Sequence, residues 1–448
     1  MVLPLLVIVL AALTAASYFL FERNVAAPST LFCGGFLISS AFALSMSGKW
    51  GLEMDMRTAL VIGGGCLLFF VSTLIIHRAC LLRVSSRSKA DSGDCVQGNS
   101  PSALAVSNKI MIIVCGLYII ALIGVFTQVL AWFPGLDLLS ALGQYKESQT
   151  FSTAHLSFSF GLDKLVNLLK AAGYLIAYLA AEKIALSNHK GLLLSVLNLV
   201  FASMLGYVVG GRFLGLSYCF CFVVALMTLR VRAGARPLSK KLLIAISIFC
   251  VIFVLAFQFL SFGRSGSIPF LDYIGIYLGA PISNLNTYLI SGDLGGSVPF
   301  GRMTFFCVYT YLGYKFGIRD WQYTFDLPFQ TLNGYNMGNV YTTYYSFIYD
   351  FGPIGVIVLV VLMALIAQLV FERALRVGRR WNDLWVIMSA FIAFQLFFSF
   401  FSDKFYEEII SPGFITTAVY LLAFRYAVCF LKPSEIVARL KVKYAKQK

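Results

Sequence analysis

Charge is scarce in this sequence. Only 12% of its 448 residues are Asp, Glu, Lys or Arg, while 59% are hydrophobic. A soluble chain carries about 25% charged residues, and half that leaves too little polar surface to coat a water-soluble globule. Histidine is scarcer: His77, His155 and His189 are the only three, and they stand far apart. No carboxylate cluster stands at ligand spacing, so there is no metal signature, and neither a metal nor another cofactor is expected. There is no P-loop and no GxSxG, which argues against ATP hydrolysis and serine-hydrolase chemistry. Any energy must come from the substrate or from a gradient. The ten cysteines make no disulfide framework. Cys33, Cys66, Cys115, Cys219, Cys221, Cys250 and Cys429 fall in apolar runs, where Cys acts as a small hydrophobe. Cys80 and Cys95 sit in a basic loop, and Cys307 has no partner in its own loop.

Long apolar runs are plentiful instead. Each run of ~20 apolar residues fits a ~30 Å hydrocarbon core. Eleven spans are predicted, at roughly 3–21, 28–47, 58–77, 110–132, 165–185, 191–209, 213–230, 242–261, 352–372, 384–402 and 412–431. The N-terminal run lacks a basic n-region and an A-x-A-like site, so it reads as the first span. The net charge of +15 follows from the positive-inside rule rather than from nucleic-acid binding, which is not expected. Loops and span ends on one side carry 24 of the 35 Lys and Arg. That side is the cytoplasm, which puts the N-terminus outside and the C-terminus inside.

The predicted fold class is therefore an all-α polytopic membrane protein of about 11 transmembrane helices. Residues 1–261 form an N-terminal bundle of eight spans, with a Ser- and Gly-rich disordered cytoplasmic linker at about 84–107. Residues 262–351 form a long extracytoplasmic loop. Residues 352–431 carry the last three spans, and 432–448 make a basic cytoplasmic tail. In the long loop, FLDYIGIYLGAP and RMTFFCVYTYLGYKFG have the look of interfacial helices. No internal repeat and no matched pair of broken helices is visible, which argues against a secondary transporter.

The chemically interesting residues are cations on the predicted outer side. Arg212, in GYVVGGRFLGLSY, sits in a hairpin so short that it must lie at the outer face. It reads either as a snorkelling anchor or as a fixed cation facing a phosphate, with Gly210 and Gly211 allowing close backbone approach. Arg264, in FLSFGRSGS, repeats the Gly-Arg arrangement at the same face. Arg302 and Arg319 follow in the long loop, either as solvated charges or as ligands. Asp350, in DFGPIG, reads as a structural charge at a helix start or as a partner for an arginine or a hydroxyl. The general-base candidates are His155 and Glu147, beside Lys146 in the first outer loop. Asp403, Glu407 and Glu408 are further outer carboxylates, the two glutamates reading as a helix start before Pro412. The aromatic run Tyr341–Phe351 reads as an interfacial belt, as a sugar-stacking surface, or as both.

Taken with the Gly-Gly-Arg hairpin, YLGAPISNLN at Tyr277–Asn286 and NVYT…DFGPIG from Asn339, this sequence resembles bacterial oligosaccharide repeat-unit polymerases, the Wzy-type O-antigen or capsule polymerases. The related O-antigen ligases share the architecture. The resemblance implies a GT-C-like, metal-independent, inverting integral-membrane glycosyltransferase in the bacterial inner membrane. It would pass a growing glycan from one undecaprenyl-diphosphate carrier to a fresh lipid-linked repeat unit at the periplasmic face. The chemistry of the residues agrees: without a metal, the leaving diphosphate needs cations, which Arg212 and Arg264 would supply, and the acceptor hydroxyl needs a base, His155 or Glu147. Tyr277, Asn286, Arg302, Arg319, Asn339, Tyr341 and Asp350 would bind substrate. The implied partners are the undecaprenyl-diphosphate-linked oligosaccharide, membrane lipid and a polysaccharide chain-length regulator. The alternatives are an O-antigen ligase and a lipid-linked oligosaccharide flippase or other transporter.

Overall fold

Apolar segments that leave water must satisfy their backbone polar groups internally, and a helix does so within one segment. The fold is that of a computed structural model, which describes residues 1–90, 104, 106–151, 156–187, 190–239, 243, 269–291, 300–322, 327–376 and 381–430. Among these, nine helices are long and apolar enough to cross a membrane: Val2–Leu20, Pro28–Trp50, Met56–Leu82, Asn108–Trp132, Phe160–Ala185, Leu192–Gly211, Phe213–Arg232, Thr343–Leu375 and Asn382–Phe400. The chain is a multi-pass, all-α membrane protein. The last expected span is a shorter apolar helix, Pro412–Val428. The expected span 242–261, save Leu243, lies outside the described residues, as do Arg264, His155 and the tail 432–448. One expectation shifts. Helix Met56–Ala90 runs seven residues into the predicted linker, because VSSRSKA contains neither Gly nor Pro to stop it.

In chain order the helices are α1 (Val2–Leu20), α2 (Pro28–Trp50), α3 (Met56–Ala90), α4 (Asn108–Trp132), α5 (Leu138–Phe151), α6 (Phe160–Ala185), α7 (Leu192–Arg232), α8 (Phe270–Ser291), α9 (Phe306–Phe316), α10 (Thr343–Leu375), α11 (Asn382–Phe397), α12 (Lys404–Ile409) and α13 (Pro412–Phe430). A hairpin of β1 (Gln330–Leu332) and β2 (Tyr335–Gly338) precedes α10. The chain divides into two compact units. Unit 1 joins Met1–Gln97 with Gly234–Pro412, and unit 2 joins Gly98–Ala233 with Gly413–Lys448.

In unit 2, α7 is a helical hairpin rather than one rod. Gly211 takes φ 76° and ψ −176°, a region that side chains essentially forbid. The two arms then pack closely. A Cβ on Gly215 would stand 2.8 Å from the Ser203 carbonyl, and one on Gly206 would stand 2.8 Å from the Tyr218 ring. Tyr118 and Tyr218 tie α4 and α7 to α6, donating to the carbonyls of Leu169 and Lys170, each at 2.8 Å. Gly211→Ala is expected to destabilise the protein by about 1–3 kcal/mol. Gly116→Ala, whose Cβ would meet nothing within 4 Å, is the matched control. Equal melting temperatures for the two variants in detergent would contradict the hairpin strain.

In unit 1, α10 also breaks at a glycine. Gly352 takes φ 65° and ψ −162°, and Pro353 then starts a second helix with no N–H to lose. The chain folds back there. A Cβ on Gly355 would lie 2.6 Å from the Phe347 carbonyl oxygen, whereas eight residues of straight helix span about 12 Å. Tyr406 touches both arms, with its ring 5.6 Å from that of Phe347 and its hydroxyl donating to the Leu359 carbonyl at 2.6 Å.

The long arm runs beside α3, and His77 meets Glu372 at 2.5 Å. Both residues lie about 30 Å along their helices from Met56 and Gly352. Gly352 is therefore level with the α2–α3 turn, an end of unit 1 termed the rim below. The short arm, residues 343–351, starts deep. Tyr344 packs on Phe36, 5.1 Å between rings, and meets Cys66 at 3.7 Å, about 15 Å along α3 from Met56. It is a re-entrant helix. Tyr341, Tyr344, Tyr345 and Phe347, expected at an interfacial belt or a sugar surface, are instead core residues, each at most 4% exposed.

Helix α8 meets the rim near both ends and reaches deeper along α2 between them, where the Ser39 hydroxyl donates to the Leu278 carbonyl at 2.6 Å. Asp272 reaches Lys49 at the end of α2, and Asn286 reaches Asp55 and Thr58 where α3 begins. Gly275 and Gly279 let its backbone rest on α2. A Cβ at either position would stand 2.8 Å from Met46 or from the Ala43 nitrogen.

Candidate functional site

One group of polar residues in unit 1 lies between the rim and the inner tip of the short arm. At the rim, the Asp350 carboxylate accepts the backbone N–H groups of Met303 at 3.1 Å and Thr304 at 2.6 Å. Arg302, half-buried, lies within electrostatic reach of it. Asp350 thus anchors the turn that carries Arg302, a structural pairing role. Thr304 adds a hydrogen bond to the Ser346 carbonyl at 3.3 Å, fixing that turn to the short arm.

Deeper, Asp403 sits between the 3-10 turn Phe398–Phe400 and α12, and is 1% exposed. One carboxylate oxygen accepts from the Thr343 hydroxyl at 3.0 Å, and the other meets no donor among the described residues. Burial first, and then the charge of Glu407, push this carboxyl well above the usual carboxylate range. Folding therefore favours its neutral form. Its contribution to stability is full below the unfolded carboxyl's value and is lost as pH rises through the folded one. In buffers free of alkali cations, melting temperature is expected to decline as pH rises above about 4, the unfolded carboxyl's value. Asp403→Asn should flatten that slope, and an unchanged slope would remove Asp403 as its source.

Next to it, Lys404 pairs with Glu407 at 2.6 Å, while Glu408 is exposed. The glutamates therefore do different work, and neither marks the start of α13. Burial, then Glu407 and Glu408, push the Cys307 thiol up to about 12, so it is no nucleophile at neutral pH.

Several expected substrate ligands are committed elsewhere. Asn286 is 3% exposed. Its carbonyl accepts from the Asp55 N–H at 2.9 Å and the Thr58 hydroxyl at 2.8 Å, and its amide donates to the Glu53 carbonyl at 2.9 Å. It pins α8 to the α2–α3 turn, which leaves no group for a sugar. The Tyr341 hydroxyl donates to the Pro328 carbonyl and accepts from Gln330, each at 2.9 Å. Tyr277 is half-buried against Tyr273 and Phe401. Asn339 is half-buried after β2, and Arg319 is exposed beyond α9.

In unit 2, Arg212 follows the Gly211 break at the hairpin tip, and its backbone opens the second arm. Lys146 of α5 lies over the ring of Tyr207, 3.8 Å from its centroid and four residues before that break. Glu147, its neighbour on α5, is exposed. Residues 51–55, Thr343 and Lys404 were not among the candidates. The signal for Lys404 is a lone Asp-Lys inside the aromatic stretch FFSFFSDKFY, where a charge has no water to face.

No family model, curated protein or solved structure matches the chain.

Proposed function

We propose that the chain is a glycosyltransferase that joins undecaprenyl-diphosphate-linked oligosaccharide repeat units into O-antigen or capsular polysaccharide. The work takes place at the periplasmic face of the bacterial inner membrane, to which the α7 hairpin tip would belong. The observation that carries this reading is the Gly211 hairpin with Arg212 at its tip. A helix N-terminus and a guanidinium together suit a diphosphate. In the transfer, an acceptor hydroxyl oxygen attacks the anomeric carbon, the bond from that carbon to the diphosphate oxygen breaks, and configuration inverts. Arg212 and Arg264 take up the charge left on the diphosphate. The hydroxyl proton passes to His155 or Glu147.

A second reading, a lipid-linked oligosaccharide transporter, draws on one observation: a carboxylate buried beside a re-entrant helix is a device that transporters use. Electrophoresis of surface polysaccharide from a deletion strain separates the readings. A polymerase deletion leaves one repeat unit on the lipid A core and no ladder. Loss of every attached repeat unit would instead indicate a flippase or a ligase. Arg212→Ala and Arg264→Ala are each expected to lower transfer by ~10²–10³-fold. Full-length ladders from the double variant would exclude the leaving-group role.

A further inference from the structure

Three oxygen atoms at the inner tip of the short arm meet no hydrogen-bond partner among the described residues. They are Oδ2 of Asp403, Oγ1 of Thr342 and Oγ of Ser402. Asp403 and Thr342 are each 1% exposed. The two stretches that carry them are pinned together by the 3.0 Å bond from Thr343 to Asp403, and Thr342 and Ser402 are the sequence neighbours of that pair. Of the carbonyls in 340–342 and 401–403, those of Val340, Thr342, Ser402 and Asp403 already accept hydrogen bonds, which leaves those of Tyr341 and Phe401 to supplement the three oxygens. The carbonyl end of α11 and the Phe398–Phe400 turn also run into residues 401–403, which adds the negative end of a helix dipole.

The Lys404 charge and the Tyr406 backbone N–H relieve Asp403 only in part, since burial and the charge of Glu407 outweigh them. Lys404 is engaged by Glu407 at 2.6 Å, and Glu408 is exposed. Arg302 and Asp350 belong to the rim turn, and the Tyr406 hydroxyl donates to Leu359. Cys307 stays a neutral thiol.

Three occupants are conceivable on chemical grounds. A proton on Oδ2 removes the charge and can be donated to one of the hydroxyls, but the other hydroxyl is still unanswered. A water answers the hydroxyls but leaves a carboxylate charge in a low-dielectric interior. A small cation answers all three oxygens and the charge together. One carboxylate with neutral hydroxyls and carbonyls supplies a single negative charge, which suits a monovalent ion.

We propose that Asp403, Thr342 and Ser402 are ligands of a monovalent metal cation of the sodium class, held where the re-entrant arm meets the α11–α12 junction. The ion fastens the arm's inner tip to that junction. This site is independent of the polymerase reading, and its test needs no activity.

The full chain, purified in detergent, is melted in sodium, potassium, lithium or N-methylglucamine chloride at equal ionic strength. One alkali cation is expected to raise the melting temperature saturably, by on the order of 3 °C once well above its dissociation constant. The rise should be larger at about pH 8 than at about pH 5, because proton and cation compete for the carboxylate. Asp403→Asn should abolish it. Thr342→Val and Ser402→Ala, milder changes that keep the carboxylate, should each raise the half-saturating concentration several-fold. Identical melting of the wild type in all four salts overturns the proposal. So does a cation response that all three variants retain. A melting temperature that follows pH with no preference among cations assigns a proton to Oδ2 instead, and overturns it equally.

Discussion

Lys404→Met is expected to destabilise the protein by about 3–5 kcal/mol, the cost of leaving a buried charge without its partner. Lys404 and Glu407 pair at 2.6 Å with side chains only 21% and 11% exposed. Burial alone would pull the lysine's pKa down, but Glu407 and Glu408 outweigh it and hold the ammonium above its usual range. The cation is therefore present at every working pH. Removing it leaves Glu407 without its ion-pair partner, close to the buried Asp403. The double variant Lys404→Met, Glu407→Leu should recover most of the loss, because it removes both charges from the same apolar surroundings. Thermal melts of the wild type and both variants decide this. A single variant as stable as the wild type would mean that water screens the pair.

Gly35→Ala should be nearly as damaging, at about 1–3 kcal/mol or more from overpacking. A Cβ at Gly35 would stand 2.2 Å from the Phe397 carbonyl oxygen and 3.2 Å from the Phe400 ring. The first obstacle is backbone, so no rotamer change relieves it. The C-terminus of α11 would have to move, and with it the turn that leads to Asp403. The adjacent glycine supplies its own control. A Cβ at Gly34 would meet only a Thr14 methyl carbon at 3.8 Å, so Gly34→Ala should melt like the wild type. Loss of stability in both would point to a requirement other than this contact.

The helices were legible because hydropathy is a property of the segment. The Gly211 hairpin was legible too, since two apolar runs with nothing between them but Gly-Gly-Arg leave no other path. The start of the ninth span at residue 352 coincides with the break at Gly352. What could not be read there was the angle. A Gly-Pro inside an apolar run is compatible with a kink, a straight entrance or a reversal, and only the contacts of Tyr344 and Tyr406 decide among them. Asp403 was placed at the rim because it follows a span. It is drawn inward by Thr343, whose own depth depends on that reversal. Asn286 shows the converse. A polar residue in a loop motif reads as a ligand, yet its partners, from Glu53 to Thr58, lie more than two hundred residues away in the chain. No periodicity in α8 encodes that meeting. Arg212 could be assigned to a hairpin tip from sequence alone, because its position depends on local chain length only.

The reversal at Gly352 also bears on how the protein is made. Residues 343–351 are nine in number, about 13 Å of helix, too short to cross a bilayer alone. Their seat is built by Phe36 and Cys66, already synthesised, and by Asp403, which leaves the ribosome some fifty residues later. The translocon therefore cannot settle this arm as it emerges. Its seat is complete only once α11 and α12 have been made, so the arm's packing closes late in synthesis.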